Sequence, residues 1–182
     1  MLDKRDRLIR SASRVIHANG YAATTLALVA KDAAVPLGNV YYYFKSKEAL
    51  AAAVIDGRVA ELRTLFASAE EESDPVERLR VVVSAFEASA EIIVARGCPY
   101  GNLSQELDKR DDDLAARGRE LFSVQLDWFT AQFRRLGAGR KAADAAAELL
   151  CAIQGACLVG LAFKDAALFK RRLRDISRRL GE

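Results

Sequence analysis

Prolines that are few and widely spaced constrain this chain more than any other feature. The 182 residues contain only Pro36, Pro75 and Pro99, and the apolar residues between them recur every three or four positions, as on an α-helix with one buried face. The run from Val40 to Phe44 places four aromatics after a valine, a composition typical of a β-strand. No second strand pattern is present to pair with that run, so the sequence predicts an all-α protein.

Capping and stop signals divide the chain into about nine helices. The first is predicted over 4–19, with Gly20 as its stop. Thr25 is expected to cap a short second helix over 26–33, and Ser46 to cap a long fourth helix. The predicted helices from the third onwards span 37–43, 47–70, 75–95, 99–109, 112–136, 140–163 and 166–180.

Charge separates the N-terminal part of the chain from the rest. Residues 1–47 carry eight Lys or Arg against three Asp, a net charge of +5, whereas 48–182 carry 20 against 22, a net charge of −2. A basic three-helix unit on a mildly acidic body is the distribution that a DNA-reading module needs. We therefore predict a helix-turn-helix domain over 1–47 and a helical-bundle domain over 48–182.

Residues suited to catalysis or metal binding are sparse. Three scattered cysteines (Cys98, Cys151, Cys157) form no disulfide framework or metal-ligand spacing, and His17 is the single histidine. We expect no enzyme activity, no cofactor and no metal. No run is expected to approach the roughly 20 apolar residues that cross a bilayer, and the N-terminus lacks a signal-peptide pattern. The prediction is a cytoplasmic protein without a membrane partner.

The stretch NGYAATTLALVAKDAAVPLGNVYYYFKSKEAL resembles the DNA-binding head of the TetR family of bacterial transcriptional regulators. The resemblance covers about residues 4–52 and rests on a Gly-aromatic pair, a Thr pair, a GxxxGxxYxYF-like third helix and the following SKEAL. It departs from the family pattern at Ala34, where glycine is common in the turn, and at Leu37, where a polar residue is common. Both departures make the base preference harder to predict.

The resemblance implies which residues meet DNA. In the family, the positions matching the three tyrosines approach the duplex. Helical spacing places Val40 and Phe44 on one face, which is expected to point inward. A tyrosine hydroxyl donates to phosphate, and the Asn39 amide suits an adenine edge. The alternative is that all four aromatics are core. The predicted DNA-binding residues are Thr25, Leu37, Gly38, Asn39, Tyr41, Tyr42, Tyr43 and Lys47.

The segment RGCPYGNLSQEL, residues 96–107, resembles a subset of the family in which GCxxGNxxxEL opens a helix of the body. Pro99 suits a first helical position, which places Cys98 at the cap, beside unpaired N–H groups that lower a thiol pKa. Cys98 is either a reactive, electrophile-sensing thiol or a small buried residue at a helix start.

The body is expected to enclose a mostly apolar ligand pocket, as the family resemblance implies. Such a lining suits an aromatic or lipophilic effector of unknown identity, although most of these residues are core by default. The predicted pocket residues are Phe66, Phe86, Cys98, Asn102, Gln125, Trp128, Phe129 and Gln154.

The last two helices carry the predicted homodimer interface. Small residues permit close helix approach, and apolar residues of the last helix follow helical spacing. The predicted interface residues are Gly155, Phe169, Leu173 and Ile176. The basic segment KRRLRDISRR is either the solvated outer face of that helix, a second nucleic-acid patch or a membrane-surface helix.

These expectations together describe a dimeric repressor that binds a near-palindromic double-stranded DNA operator and is released by a small apolar or reactive molecule. An activator, or a partner-controlled DNA-binding protein of the same fold without a small-molecule ligand, is the alternative. An enzyme on a helical bundle is disfavoured because no acid, base, nucleophile or metal set converges.

Overall fold

The protein is all-α in a computed structural model that describes residues 3–109 and 112–181. These residues form ten α-helices and one short 3₁₀ turn, Gly139–Lys141, and no strand, as the sequence predicted for the fold class. The helices are α1 Lys4–Ala23, α2 Leu26–Asp32, α3 Leu37–Tyr43, α4 Lys47–Ala69, α5 Pro75–Ala88, α6 Ala90–Arg96, α7 Pro99–Asp108, α8 Asp113–Arg135, α9 Ala142–Phe163 and α10 Ala166–Arg179.

Most predicted boundaries are confirmed to within a few residues, but the predicted helix over 75–95 is wrong. The chain breaks at Ser89, where φ is −90° and ψ is 12°, so α5 and α6 are separate helices. The Ser89 hydroxyl donates to the carbonyl of Ala85 at 3.1 Å. A serine that bonds back to the preceding turn commonly bends a helix.

The chain divides into two compact units, one containing Met1–Ala60 and Pro99–Leu121, the other Glu61–Cys98 and Phe122–Glu182. This division differs from the predicted boundary at residue 47, because α7 and the start of α8 group with the N-terminal helices. The core of the first unit takes residues from α1 to α4 and Leu103, Leu107, Leu114 and Leu121 from later in the chain. The predicted inner face of α1 is confirmed, since Leu8, Ala12, Val15 and Ile16 are buried.

In the second unit, α9 packs closely against α6 and α10 at a glycine. A Cβ atom on Gly160 would lie 3.0 Å from Cβ of Phe169 and 3.3 Å from Cγ1 of Val94. Phe169 and Leu173 of α10 are 0 % exposed in the single chain. The prediction that these two side chains lie at a dimer interface is therefore corrected: they belong to the protomer's own core and leave no surface for a partner.

Helix α9, together with the turn before it, is unusually apolar. Gly139–Phe163 is long and apolar enough to cross a membrane by length and composition, with a mean hydropathy of 1.8 over an 18-residue window, which contradicts the expectation that no such stretch exists. The core helix of a globular protein passes the same test. One face of α9 is core here, containing Leu149, Leu150, Ile153 and Cys157.

Candidate DNA-binding surface

Helix α2 and the turn that joins it to α3 are fixed by hydrogen bonds from the threonine before the helix and from α1. Thr25 caps α2 as predicted, with its side-chain oxygen accepting from the N–H of Leu28 at 3.2 Å. Ala34 closes the turn with a φ of 50°, a left-handed conformation that non-glycine residues rarely adopt. The Arg7 side chain donates to the carbonyl of Ala33 at 2.6 Å. The turn thus keeps a glycine-like backbone at a position occupied by alanine.

An ion pair joins α1 to the end of α2. Asp32 accepts from the Ser11 hydroxyl at 2.7 Å and from the Arg14 guanidinium at 2.6 Å. The hydrogen bond from Ser11, followed by that from Arg14, lowers the pKa of Asp32 below its ordinary value. Helix α2 is therefore held at both ends, by the Thr25 cap and by this carboxylate.

Helix α3 divides its aromatic run between core and solvent. Val40 and Phe44 are 0 % and 4 % exposed, which confirms that they point inward. Tyr41 is 50 % and Tyr42 76 % exposed, so neither is a core residue. Tyr43 is half-buried and packs against the core, with the Tyr42 ring edge-on at 5.0 Å between centroids. The outer face of α3 thus presents aromatic side chains on a helix whose inner face is fixed.

The N-terminal turn of α3 is open. Leu37 is 41 % exposed and Asn39 is half-buried. A Cβ atom on Gly38 would meet no atom of the described residues within 4 Å, so packing against them does not require glycine there. Free space above Gly38 permits another molecule to approach the helix backbone closely.

Lys47, the first residue of α4, is held by the end of α1. Its ammonium donates to the carbonyl of Ala22 at 3.0 Å and lies 4.3 Å from the centroid of the Tyr21 ring. One of the three ammonium hydrogens is used by this bond, which leaves two for an external acceptor.

Two protein-family profiles match the chain, one in its N-terminal part and one in its C-terminal part. The profile described as bacterial regulatory proteins, tetR family, matches residues 8–54, which contain all eight predicted DNA-binding residues. A second profile, the C-terminal domain of LmrA/YxaF-like transcriptional regulators, matches residues 75–174. The chain belongs to the TetR family of bacterial regulatory proteins. This TetR-family protein is therefore a DNA-binding transcriptional regulator.

Related sequences and solved structures support the TetR-family assignment over most of the chain. The HTH-type transcriptional regulator YxaF of Bacillus subtilis is 27 % identical over 90 % of this chain and 87 % of its own. The HTH-type transcriptional repressor DhaR of a Mycobacterium species is 31 % identical over 59 % of this chain and 54 % of its own. A TetR-family regulator from Agrobacterium tumefaciens superimposes with a TM-score of 0.84 at 25 % identity, covering 97 % of this chain and 96 % of that one.

Three predicted pocket residues of this TetR-family protein form a closed aromatic cluster in the second unit. The rings of Phe66 and Trp128 stack face to face with centroids 4.6 Å apart, and Phe129 meets both rings edge-on. The Trp128 indole N–H donates to Glu70 at 3.2 Å. Phe129 is 0 % and Phe66 4 % exposed, so no molecule fits between the stacked rings without moving them.

The other predicted pocket residues are distributed over both units. Phe86, Cys98, Gln125 and Gln154 belong to the second unit, whereas Asn102 lies on α7 in the first. Gln125 is 0 % exposed. The buried amide nitrogen of Gln154 makes no hydrogen bond within the described residues, and such a group costs roughly 1–3 kcal/mol.

Cys98 is buried at 3 % exposure, beside the equally buried Cys157. The hydrogen bond between the two thiols, followed by burial, raises the pKa of Cys157. Reactive cysteines lie in partly exposed positions, whereas Cys98 is buried. The arrangement therefore favours packing over electrophile sensing among the two roles considered for Cys98.

The outer face of α9 carries an exposed apolar stripe. Leu158 is 66 %, Val159 41 % and Phe163 73 % exposed. Gly155 lies on the same face, with no atom of the described chain within 4 Å of its Cβ position. A groove of about 230 Å³ runs from it to the half-buried Ile176 of α10. We refer to Cys151, Ala152, Gly155, Leu158, Val159, Ala162 and Phe163 as the α9 stripe.

The basic side chains of α10 are largely engaged in ion pairs. The pairs are Lys170–Glu91 at 3.1 Å, Arg172–Asp175 at 2.6 Å, Arg174–Glu87 at 2.8 Å and Arg178–Asp175. Such pairing within the protomer fits a solvated outer face better than a second nucleic-acid patch.

The sequence reasoning missed two polar residues whose surroundings are unusual. Glu106 of α7 accepts hydrogen bonds from the backbone of α1, and Gln132 of α8 is 0 % exposed with a side-chain nitrogen that makes no hydrogen bond in the described chain. The available signal for Glu106 was its place in the GCxxGNxxxEL segment. No sequence signal marked Gln132, because glutamine is common in amphipathic helices.

Proposed function

We propose that this protein is a dimeric repressor that reads a near-palindromic operator with α3 and is released from it by a small apolar molecule. The observation that supports the operator contact most directly is the exposure of Tyr41 and Tyr42 on a helix held by buried Val40 and Phe44. A rigid helix with exposed aromatic and amide groups suits the major groove, where base edges are distinguishable.

Each predicted residue has a distinct task on the duplex. The Thr25 hydroxyl accepts from its own helix and keeps its hydrogen for a phosphate oxygen. The two tyrosine hydroxyls donate to phosphate, Gly38 allows close approach, Leu37 offers an apolar contact to a thymine methyl, and Asn39 reads a base edge. Tyr43, half-buried, supports Tyr42 by its edge-on contact. The Lys47 ammonium contacts a phosphate of the DNA backbone.

The test of operator reading is a genomic DNA selection followed by binding measurements on variants. We expect an inverted repeat whose half-site centres lie about one helical turn apart, roughly 34–36 Å, as for other dimeric helix-turn-helix proteins. Asn39→Ala is expected to relax preference at one base pair, which is worth about 1–3 kcal/mol, whereas Tyr42→Phe is expected to weaken binding to all sequences equally. Leu28→Ala removes an exposed apolar side chain from α2 and is the control. Recovery of no inverted repeat would contradict the proposal.

For the homodimer, we propose that the α9 stripe of one protomer packs on the same stripe of its partner. A two-fold interface is self-complementary, and small residues such as Gly155 allow two helices to approach closely. Ile176 extends the surface onto α10 along the groove beside Gly155. Ile176→Glu is expected to yield monomers in sedimentation and to lose most operator affinity, because two linked heads bind far better than one. An intact Ile176→Glu dimer would remove α10 from the interface.

For the effector, we propose a reversible aromatic or lipophilic ligand bound in the second unit around the Phe66–Trp128 stack. The cluster of Phe66, Trp128 and Phe129 offers aromatic surface to such a ligand when the stacked rings separate. A ligand releases DNA only if it binds the non-binding arrangement of the dimer more tightly than the other. Because Cys98 is buried, we propose reversible binding rather than covalent capture of the effector.

A DNA-release screen with aromatic compounds, quinones and aldehydes tests the effector on wild type and Cys98→Ser side by side. Equal release from both proteins is the expected result. Loss of release in Cys98→Ser would restore the thiol-sensing role, and release by no compound would favour the activator or partner-controlled alternative.

The protein is expected to act in the cytoplasm and without catalysis. The relatives that match it are named as transcriptional regulators, and the task proposed for each residue is binding rather than bond making.

A further inference from the structure

A carboxylate from a distant part of the chain caps a break in α1. Gly20 interrupts this helix with φ of 81° and ψ of 160°, and a break of this kind deprives the following N–H groups of their usual carbonyl partners. Glu106 Oε2 accepts hydrogen bonds from the N–H of Tyr21 at 2.5 Å and from the N–H of Ala22 at 3.2 Å. One side chain therefore satisfies both amides.

Glu106 is built into the first unit rather than resting on its surface. Its neighbours on α7, Leu103 and Leu107, are 4 % and 0 % exposed and belong to the core of that unit. A Cβ atom on Gly20 would lie 2.6 Å from Glu106 Oε1. The close approach of the carboxylate thus needs glycine at that position both for its space and for its positive φ.

The other side of the same peptide segment holds Lys47. The carbonyl of Ala22 accepts from the Lys47 ammonium at 3.0 Å, and the Tyr21 ring lies under that ammonium at 4.3 Å. The Tyr21 hydroxyl also donates to Glu48 at 3.3 Å. Residues 21 and 22 therefore join Glu106 on one side to the first turn of α4 on the other.

We propose that Glu106 is a positioning residue for DNA binding, which fixes the Lys47 ammonium through the backbone of Tyr21 and Ala22. This inference rests on the proposed function, in which Lys47 contacts a phosphate. A lysine side chain has many rotamers, and ordering it on binding costs free energy. An ammonium already held by a carbonyl and an aromatic ring avoids much of that cost, provided that the segment carrying those groups is itself fixed.

The inference makes Glu106 and Lys47 act as one unit. We expect Lys47→Ala to reduce the slope of log affinity against log salt by about 0.9, the value for one phosphate contact. Glu106→Ala is expected to reduce the slope by a comparable amount although Glu106 itself touches no DNA. Because a displaced Lys47 no longer contributes a phosphate contact, the double variant is expected to have the same salt slope as Lys47→Ala. It is not expected to lose the equivalent of two contacts.

Asp108→Asn is the matched control. It removes one negative charge from the same helix, but Asp108 pairs with Arg119 at 3.0 Å, with both side chains 61 % exposed. Its salt slope is expected to equal that of wild type. Glu106→Gln guards against loss of folding, since it keeps the side-chain length and one acceptor oxygen, and its slope is expected to lie between those of wild type and Glu106→Ala.

Amide hydrogen exchange at Tyr21 and Ala22 gives a readout independent of DNA. Faster exchange at these two amides in the Glu106 variants, with the rest of α1 unchanged, is the result expected from a lost cap. Unchanged exchange, an unchanged salt slope, or losses that add in the double variant would each overturn the positioning role.

The same experiment separates this inference from the proposed function. If Lys47→Ala keeps the wild-type salt slope, then Lys47 contacts no phosphate and the proposed DNA contact fails together with the positioning role. If Lys47→Ala lowers the slope while Glu106→Ala does not, the operator proposal stands and only the role of Glu106 is lost.

Discussion

Two phenylalanines on either side of the α9–α10 turn have opposite expected roles. Phe163 is 73 % exposed, whereas Phe169 is 0 % exposed. Phe163→Ala is expected to weaken the dimer and leave the protomer folded, because the side chain lies in the α9 stripe. Phe169→Ala is expected to destabilise the protomer by about 3–5 kcal/mol, the usual cost of emptying a buried aromatic site.

The effect of Phe163→Ala follows from the area that the ring leaves accessible. An aromatic side chain buries about 150–250 Å², so a ring that is 73 % exposed offers roughly 110–180 Å² to a partner. At about 25 cal/mol per Å², complete burial would contribute about 3–4.5 kcal/mol per protomer. If the partner covers half of each Phe163 ring, the two rings of the symmetric dimer together contribute about the same free energy. Losing that contribution would raise the dissociation constant roughly a hundredfold to a thousandfold.

Sedimentation equilibrium across a protein concentration series measures this change, and chemical denaturation reports protomer stability in parallel. Ile92→Ala is the control, because it removes an exposed apolar side chain, 48 % accessible, from α6. A dissociation constant for Phe163→Ala within about threefold of wild type would refute the assignment of the α9 stripe. A wild type that sediments as a monomer would refute the interface itself.

Three further predictions concern the turn of the DNA-binding unit, its ion pair and the thiols. Ala34→Gly is expected to stabilise the protein by about 0.5–1 kcal/mol in thermal denaturation, since it relieves a left-handed alanine at φ 50°. Because the pKa of Asp32 is lowered on folding, its contribution to stability is present above the ordinary value of about 4 and is lost as the pH falls through the folded value. Asp32→Asn should therefore destabilise the protein at pH 7 and progressively less as the pH is lowered below about 4, as denaturant titration would show. In a Cys151→Ser variant, native Cys98 and Cys157 are expected to resist iodoacetamide until denaturant is added, as mass spectrometry would show.

Local signals explain why the DNA-binding unit was predictable. Thr25 and Ser46 cap their helices by accepting hydrogen bonds from the N–H groups three residues later. Gly20 interrupts α1 at the position where the sequence predicted the helix to stop. These interactions lie within a few residues, so the sequence displays both partners together. The Ser89 break escaped prediction because a serine that bonds one turn back barely changes the apolar period.

Long-range contacts explain most of what was missed. Glu106 bonds to a residue 85 positions away, and no local pattern reports such a pair. Helical spacing likewise identified Leu173 and Phe169 as one apolar face but held no information on whether the face is covered by the same chain or by another. The exposure of the Phe163 ring, by contrast, can be recognised only in the folded chain, because it depends on which side chains surround the ring.

The stacked pair of Phe66 and Trp128 gives the protein an intrinsic optical probe. Trp128 is the single tryptophan of the chain, so its fluorescence arises from one indole, stacked at 4.6 Å and hydrogen-bonded to Glu70. A ligand that enters between the rings must separate them and change the polarity around the indole. Its emission wavelength and intensity would then follow occupancy directly, without labels and without DNA, and Phe66→Leu would alter the starting spectrum in a way that identifies the stack as the source.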